Sequence, residues 1–136
     1  MNPETRPEEQ NPKTVVVFSD DLMDNSRIVA TAKAKGLATM SVRNWSKFMN
    51  LIPHINGCIV IDLEHPEIDY DQLSEFIHNS KGNEIRIIAF APHVNINSFQ
   101  SARAAGLSEV FPRSAFFSSL EEQIKNWATQ PRFSKS

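Results

Sequence analysis

Unbroken apolar runs alternate along this chain with segments whose apolar positions recur at helical spacing. "TVVVFS" (14–19) is β-branched and continuous, as expected of a strand covered on both faces. In residues 21–35, Leu22, Ile28, Val29 and Ala32 fall at helical spacing, and Gly36 ends the run. "ATMSV" (38–42) predicts a weaker strand at or near a sheet edge, and "NWSKFMNLI" (44–52) a short helix that starts on Asn44 and stops before Pro53. "CIVID" (58–62) is the most strand-like run, and residues 70–80 carry Leu73, Phe76 and Ile77 on one helical face. "IRIIAFA" (85–91) predicts a fourth strand and "INSFQSARAAG" (96–106) a helix stopped by Gly106. A short strand "EVF" (109–111) and an amphipathic helix over 115–128, carrying Phe116, Leu120, Ile124 and Trp127, complete the pattern.

Five strand–helix units with short connections imply a parallel sheet with helices on both faces. Right-handed crossovers leave few topologies. The expected class is α/β, a three-layer α/β/α sandwich with a flavodoxin-like five-stranded sheet in strand order 2-1-3-4-5. A chain of 136 residues suits one such domain. Its expected limits are 13–129, with a disordered lead-in over 1–12 ("MNPETRPEEQNP") and a flexible tail over 130–136.

Composition narrows the function classes. A net charge of −2 offers no bulk attraction to nucleic acid or anionic membrane, and neither is expected as a partner. No apolar run approaches the roughly 20 residues that span a bilayer, and the N-terminus lacks the apolar stretch of a signal peptide. The single cysteine, Cys58, lies in a strand run, where it reads as a small core hydrophobe; it fits a reducing compartment, and the expected location is the cytoplasm. The four glycines, at 36, 57, 82 and 106, form no phosphate-binding loop, so neither a dinucleotide fingerprint nor a P-loop is present. His54 and His78 read as surface residues, and Trp45 and Trp127 as core.

In sheets of this kind ligands lie outside the carboxyl ends of the strands. The first strand delivers Ser19, Asp20 and Asp21; the third delivers Asp62, Glu64 and His65; the fourth Ala91 and His93; the fifth Arg113 and Ser114. Clustered carboxylates raise one another's pKa unless a cation compensates. Oxygen ligands of this type suit a hard divalent ion such as Mg²⁺. Asp20 or Asp21 also has a second role open to it, as the cap of the first helix.

At these strand ends the chain resembles the receiver domains of two-component response regulators, over roughly residues 14–128. "VFSDDLMDNSRI" resembles the family's first strand, acidic pair and helix opening. "CIVIDLEHPEIDY" resembles its third strand with the phospho-accepting aspartate, followed four residues later by proline, and "AAGLSEVFPRS" its fifth strand. The resemblance implies Asp62 as phosphoacceptor position, with Asp20, Asp21, Asp62 and the carbonyl of Glu64 as metal ligands. Ser19, Ala91, His93, Arg113 and Ser114 would complete the pocket.

The chain also departs from the family. Ala91 stands where a Thr or Ser hydroxyl contacts the phosphoryl group, and Arg113 where Lys is usual. Ser114 replaces a Pro that normally follows a cis bond, Val110 takes the aromatic switch position, and Tyr70 replaces a Gly. That combination resembles a divergent or pseudo-receiver.

Two mechanisms are open to such a chain. In one, Asp62 accepts a phosphoryl group with Mg²⁺ at the acidic pair. In the favoured one, phosphorylation is weakened or absent, and Arg113, expected against Asp62, neutralises the acidic cluster for protein binding. A stand-alone signalling module is expected, acting through a histidine kinase, a downstream effector or a homodimer. The expected surface is the fourth helix, fifth strand and fifth helix, with Phe99, Val110, Phe116 and Phe117 as its apolar part. Catalysis on an external substrate is not expected. Asp62 with Glu64 has a superficial likeness to small phosphatases of related fold, but the supporting Lys and Thr are missing, and no Ser has the flanking glycines of a nucleophile elbow.

Overall fold

Five parallel strands form one sheet in the order β2-β1-β3-β4-β5: β1 (Thr14–Phe18), β2 (Ala38–Val42), β3 (Gly57–Asp62), β4 (Arg86–Ala91) and β5 (Val110–Pro112). The computed structural model describes residues 12–79 and 84–130. Helices α1 (Leu22–Ala34), α2 (Trp45–Leu51), α3 (Tyr70–His78) and α4 (Ile96–Ala105) make the crossovers, α5 (Arg113–Thr129) follows the last strand, and a 3₁₀ turn lies at Ile52–His54. This is the expected flavodoxin-like α/β/α sandwich.

The layers follow from the period of two along each strand. On β1, Val16 and Phe18 face a core shared with Phe48 of α2, Leu73 of α3 and Ala102 of α4. Val15 and Val17 face the opposite core, with Ile28 of α1 and Phe116, Ile124 and Trp127 of α5. Both faces of β1, β3 and β4 are thus covered, which is why their sequences are continuously apolar. Cys58, Trp45 and Trp127 are buried in these cores, while His54 and His78 are exposed.

Polar caps set the helix starts. Asp21, Asn44, Asp69 and Asn95 each accept a hydrogen bond from the backbone N–H three residues on, filling otherwise unmet donors at four helix N-termini. Gly106 ends α4 in the left-handed conformation at φ 112°, which L side chains rarely adopt.

Two expectations change. The last helix begins at Arg113 rather than at 115, so Arg113 projects from a helical first turn and not from a loop. Phe116 and Phe117, expected on an exposed face, are core residues. The reason is the packing of α5 into the groove between α1 and the sheet. Phe116 stacks on Phe90 at 4.5 Å between ring centroids and on Trp127 at 5.6 Å. Phe117 lies edge-on to both Phe90 and Phe116. Phe99 and Val110 are half-buried against the other core. Residues 1–11 and 131–136, which make up nearly all of the two expected tails, lie outside the described residues.

Candidate functional site

The carboxyl ends of β1, β3 and β4 open onto a cleft of about 470 Å³, where Asp20, Asp21, Asp24, Asp62 and Glu64 face one cation, Arg113. Asp62 lies at its floor, the last residue of β3 and nearly fully buried. The register pairs Phe18 with Ile61, so the residue beside Asp62 on β1 is Ser19, not an acid.

The Ser19 hydroxyl donates to Oδ2 of Asp62 at 3.0 Å and accepts from the Asp21 N–H at 3.1 Å. The Glu64 N–H donates to Oδ1 of Asp62 at 3.0 Å. Both oxygens of the candidate acceptor are therefore engaged. Burial raises the Asp62 carboxyl above its ordinary value, and the bonds from Glu64 and Ser19 oppose that rise without cancelling it.

The raised pKa has a defined consequence for stability. An acid whose folded pKa is raised adds stability that is complete below its unfolded pKa and is lost as pH rises through the folded one. Ionised Asp62 thus weakens the fold at neutral pH. Asp62→Asn is expected to raise the thermal midpoint at neutral pH, with the gain shrinking as pH falls toward 3.8, the ordinary carboxylate value. Thermal melts of the two proteins across that range check it; a gain that does not change with pH contradicts it.

The acidic pair divides its work. Asp21 caps α1, accepting from the Asp24 N–H at 2.9 Å. Asp20 turns outward to Arg43, whose NH2 group stands 3.1 Å from its Oδ1, with both side chains 55% exposed. An ion pair so exposed contributes little stability.

Arg113 does not meet Asp62 as expected. It grips Asp24 through two parallel N–H bonds, the fork geometry in which arginine binds carboxylate most strongly. Its guanidinium also lies over Phe117, 4.9 Å from the ring centroid. Asp24 escaped the sequence reading, although a signal existed. Asp24, Ile28 and Ala32 are spaced by four, so the carboxylate sits on α1's buried stripe, where a charge requires a partner.

His65, assigned to the pocket rim, lines the cleft but is a structural pin. Its ring stacks on Phe18 at 4.0 Å. Nδ1 accepts from the Glu67 N–H at 3.1 Å, so Nε2 carries the proton and donates to the Arg43 carbonyl at 2.8 Å. The Glu67 carboxylate in turn accepts from the Trp45 N–H at 2.9 Å, tying the β3–α3 loop to the start of α2. Ala91 is buried at the end of β4, whereas His93 and Ser114 are exposed and do not line the cleft.

The oxygen-rich donor set is chemically suited to Mg²⁺. Its side chains are nonetheless dispersed: among the described residues, no three His, Cys, Asp or Glu side chains are gathered to hold a metal ion. For Asp20 to serve as a ligand it would have to leave Arg43.

No family model matches the sequence, and no curated protein matches it. Solved structures do. A response regulator from Hahella chejuensis matches at TM-score 0.73 and 19% identity, over 90% of this chain and 99% of that one. The receiver domain of a sensor histidine kinase from Pseudomonas aeruginosa, solved with a magnesium ion in its active-site cleft, matches at TM-score 0.71 and 16% identity, over 85% of this chain and 96% of that one. A phosphorylated cyanobacterial phytochrome response regulator matches at TM-score 0.66 and 17% identity, over 84% and 89%. With the strand order and crossovers described above, these neighbours give the chain the fold of the response regulator receiver domains.

Proposed function

We propose that this protein is a receiver-type signalling domain that works by binding another protein, with aspartyl phosphorylation weakened or absent. The observation that carries the reading is the Arg113–Asp24 pair. Among the described residues one arginine lines the cleft, and both its terminal nitrogens are held by a carboxylate of the same cleft, which opposes their turning to an incoming phosphoryl group. Ala91 offers no hydroxyl to such a group, and both Asp62 oxygens already accept hydrogen bonds.

A second reading, with Asp62 as phosphoacceptor and Mg²⁺ at the acids, draws on the position of Asp62 at the end of β3 and on neighbours of the same fold that hold Mg²⁺ or a phosphoryl group. A titration with Mg²⁺ and beryllofluoride, followed by backbone amide NMR, separates the two. We expect no saturable shift at Ser19, Asp62 or Glu64. Saturable shifts at those amides favour the second reading.

The partner surface is reassigned with the burial of Phe116 and Phe117. Four large apolar side chains stand exposed at the cleft end of the sheet: Leu22 at 65% and Met23 at 83% on α1, Val94 at 74% and Ile96 at 62% beside β4. Large apolar side chains exposed together on one end of a domain mark a surface suited to protein binding. A histidine kinase or downstream effector is the partner class this reading implies.

A further inference from the structure

Charge is distributed very unevenly along the chain. Residues 25–61 contain five cations and not one acid, while the other 99 residues carry nine cations and sixteen acids. Four of the five, Lys33, Lys35, Arg43 and Lys47, flank β2: two at the end of α1 just before it, one directly after it and one on α2 beside it. All four are exposed, and among the described residues only Arg43 has an ion-pair partner, Asp20. A protein of net charge −2 therefore carries a concentration of positive charge around β2.

That strand is an open edge. Among the described residues, β2 is the terminal strand of the sheet and is hydrogen-bonded to β1 alone. Ala38 donates its N–H to the Lys13 carbonyl, and alternation then turns Ala38, Met40 and Val42 toward β1. The N–H and C=O groups of Thr39 and Ser41 are left facing outward. Edge strands are ordinarily blunted by proline, a bulge or an inward charge. "ATMSV" has neither proline nor charge, and its pairing with β1 runs through all five residues without a bulge. Beside it lies an apolar groove of about 450 Å³ lined by Met40, Val42, Lys47 and Leu51, with Met40 43% exposed.

We propose that the β2 edge is a docking site for an extended acidic segment of a partner protein, added to the sheet as a sixth strand. Thr39 and Ser41 supply the backbone ladder, the groove on the α2 face takes alternate apolar side chains, Lys33 and Lys35 at the α1 face meet the acids between them, and Lys47 adds positive charge at the groove's edge. Charge complementarity is what selects this occupant. A second copy of β2 would bring the same lysines together, and a basic peptide would be repelled.

The test uses a fluorescein-labelled peptide alternating valine and glutamate, with anisotropy as the readout and a valine–lysine peptide as control. The acidic peptide is expected to bind and the basic one not to bind. The double variant Lys35→Glu/Lys47→Glu, confined to exposed positions, is expected to weaken binding about tenfold or more, and added salt to weaken it further. Thr39→Pro removes one outward N–H and no β1 bond, and is expected to abolish binding. Amide exchange on the complex should slow at Thr39 and Ser41. Equal binding of both peptides, or binding unchanged in the charge-reversed variant, overturns the proposal. So does sedimentation showing a dimer that the same variant disrupts, or displacement of the acidic peptide by a DNA duplex with no exchange protection on β2.

Discussion

Arg113→Met is expected to lower stability by about 2 kcal/mol, read as a lower urea midpoint at unchanged slope. The variant leaves the Asp24 carboxylate without its partner. Asp24 has a side chain only 6% exposed, against 42% for Arg113. Removing one member of a fully buried pair costs roughly 3–5 kcal/mol. Arg113 is half in solvent, so water offsets part of that loss, and about 2 kcal/mol is the figure to expect. The double variant Asp24→Leu/Arg113→Met separates this loss from a mere loss of packing. Without the stranded charge, and with a leucine continuing the stripe of Ile28 and Ala32, it should be more stable than Arg113→Met alone. If the two variants unfold at the same urea concentration, the stranded charge is not the cause.

Gly57→Ala is expected to be more damaging still, by about 3 kcal/mol or more. Gly57 opens β3 directly beside Thr14 of β1, with φ at 156°. A Cβ there would overlap the backbone carbonyl oxygen of Thr14, and backbone within a sheet cannot move aside as a flexible side chain can. Relief would have to come from displacing the start of β1 or β3, the two strands that carry Ser19 and Asp62. Loss of soluble folded protein, or a thermal midpoint lowered by more than ten degrees or so, is the expected outcome. Gly36→Ala provides the contrast. Its added Cβ meets nothing within 4 Å, so only its positive φ, 81°, opposes the change.

The contrast between these glycines also shows what the sequence could disclose. Gly36 and Gly106 follow the last periodic residue of a helix, and their role was legible from that place alone. Gly57 stands between a loop and a strand, and the reason for it is a neighbour 43 residues away in register, Thr14. Strand order and layers were readable because β1, β3 and β4 are apolar on both faces and the helices between the strands carry apolar stripes. Phe116 and Phe117 were misplaced because adjacent aromatics on one helix read as half exposed. Only the packing of α5 onto both α1 and Phe90 takes them both inside.

At the cleft, residue types were legible and pairings were not. The sequence placed Asp20, Asp21, Asp62 and Arg113 at one end of the sheet, and all four line the cleft. It could not say that Ser19, rather than either aspartate, falls in register beside Asp62. Nor could it show Arg43, at the end of β2, drawing Asp20 outward. Asp24 was passed over as a first-turn helix residue, although its spacing with Ile28 put a carboxylate where only a paired one is tolerated.

In the proposed function Arg113 neutralises the acidic cleft from within, and Asp62 takes up no phosphoryl group. The decisive measurement is the intact mass after incubation with Mg²⁺ and acetyl phosphate, with Asp62→Asn treated in parallel. Identical masses before and after are expected for both proteins. A gain of one phosphoryl group on the unaltered protein, absent from Asp62→Asn, would contradict it.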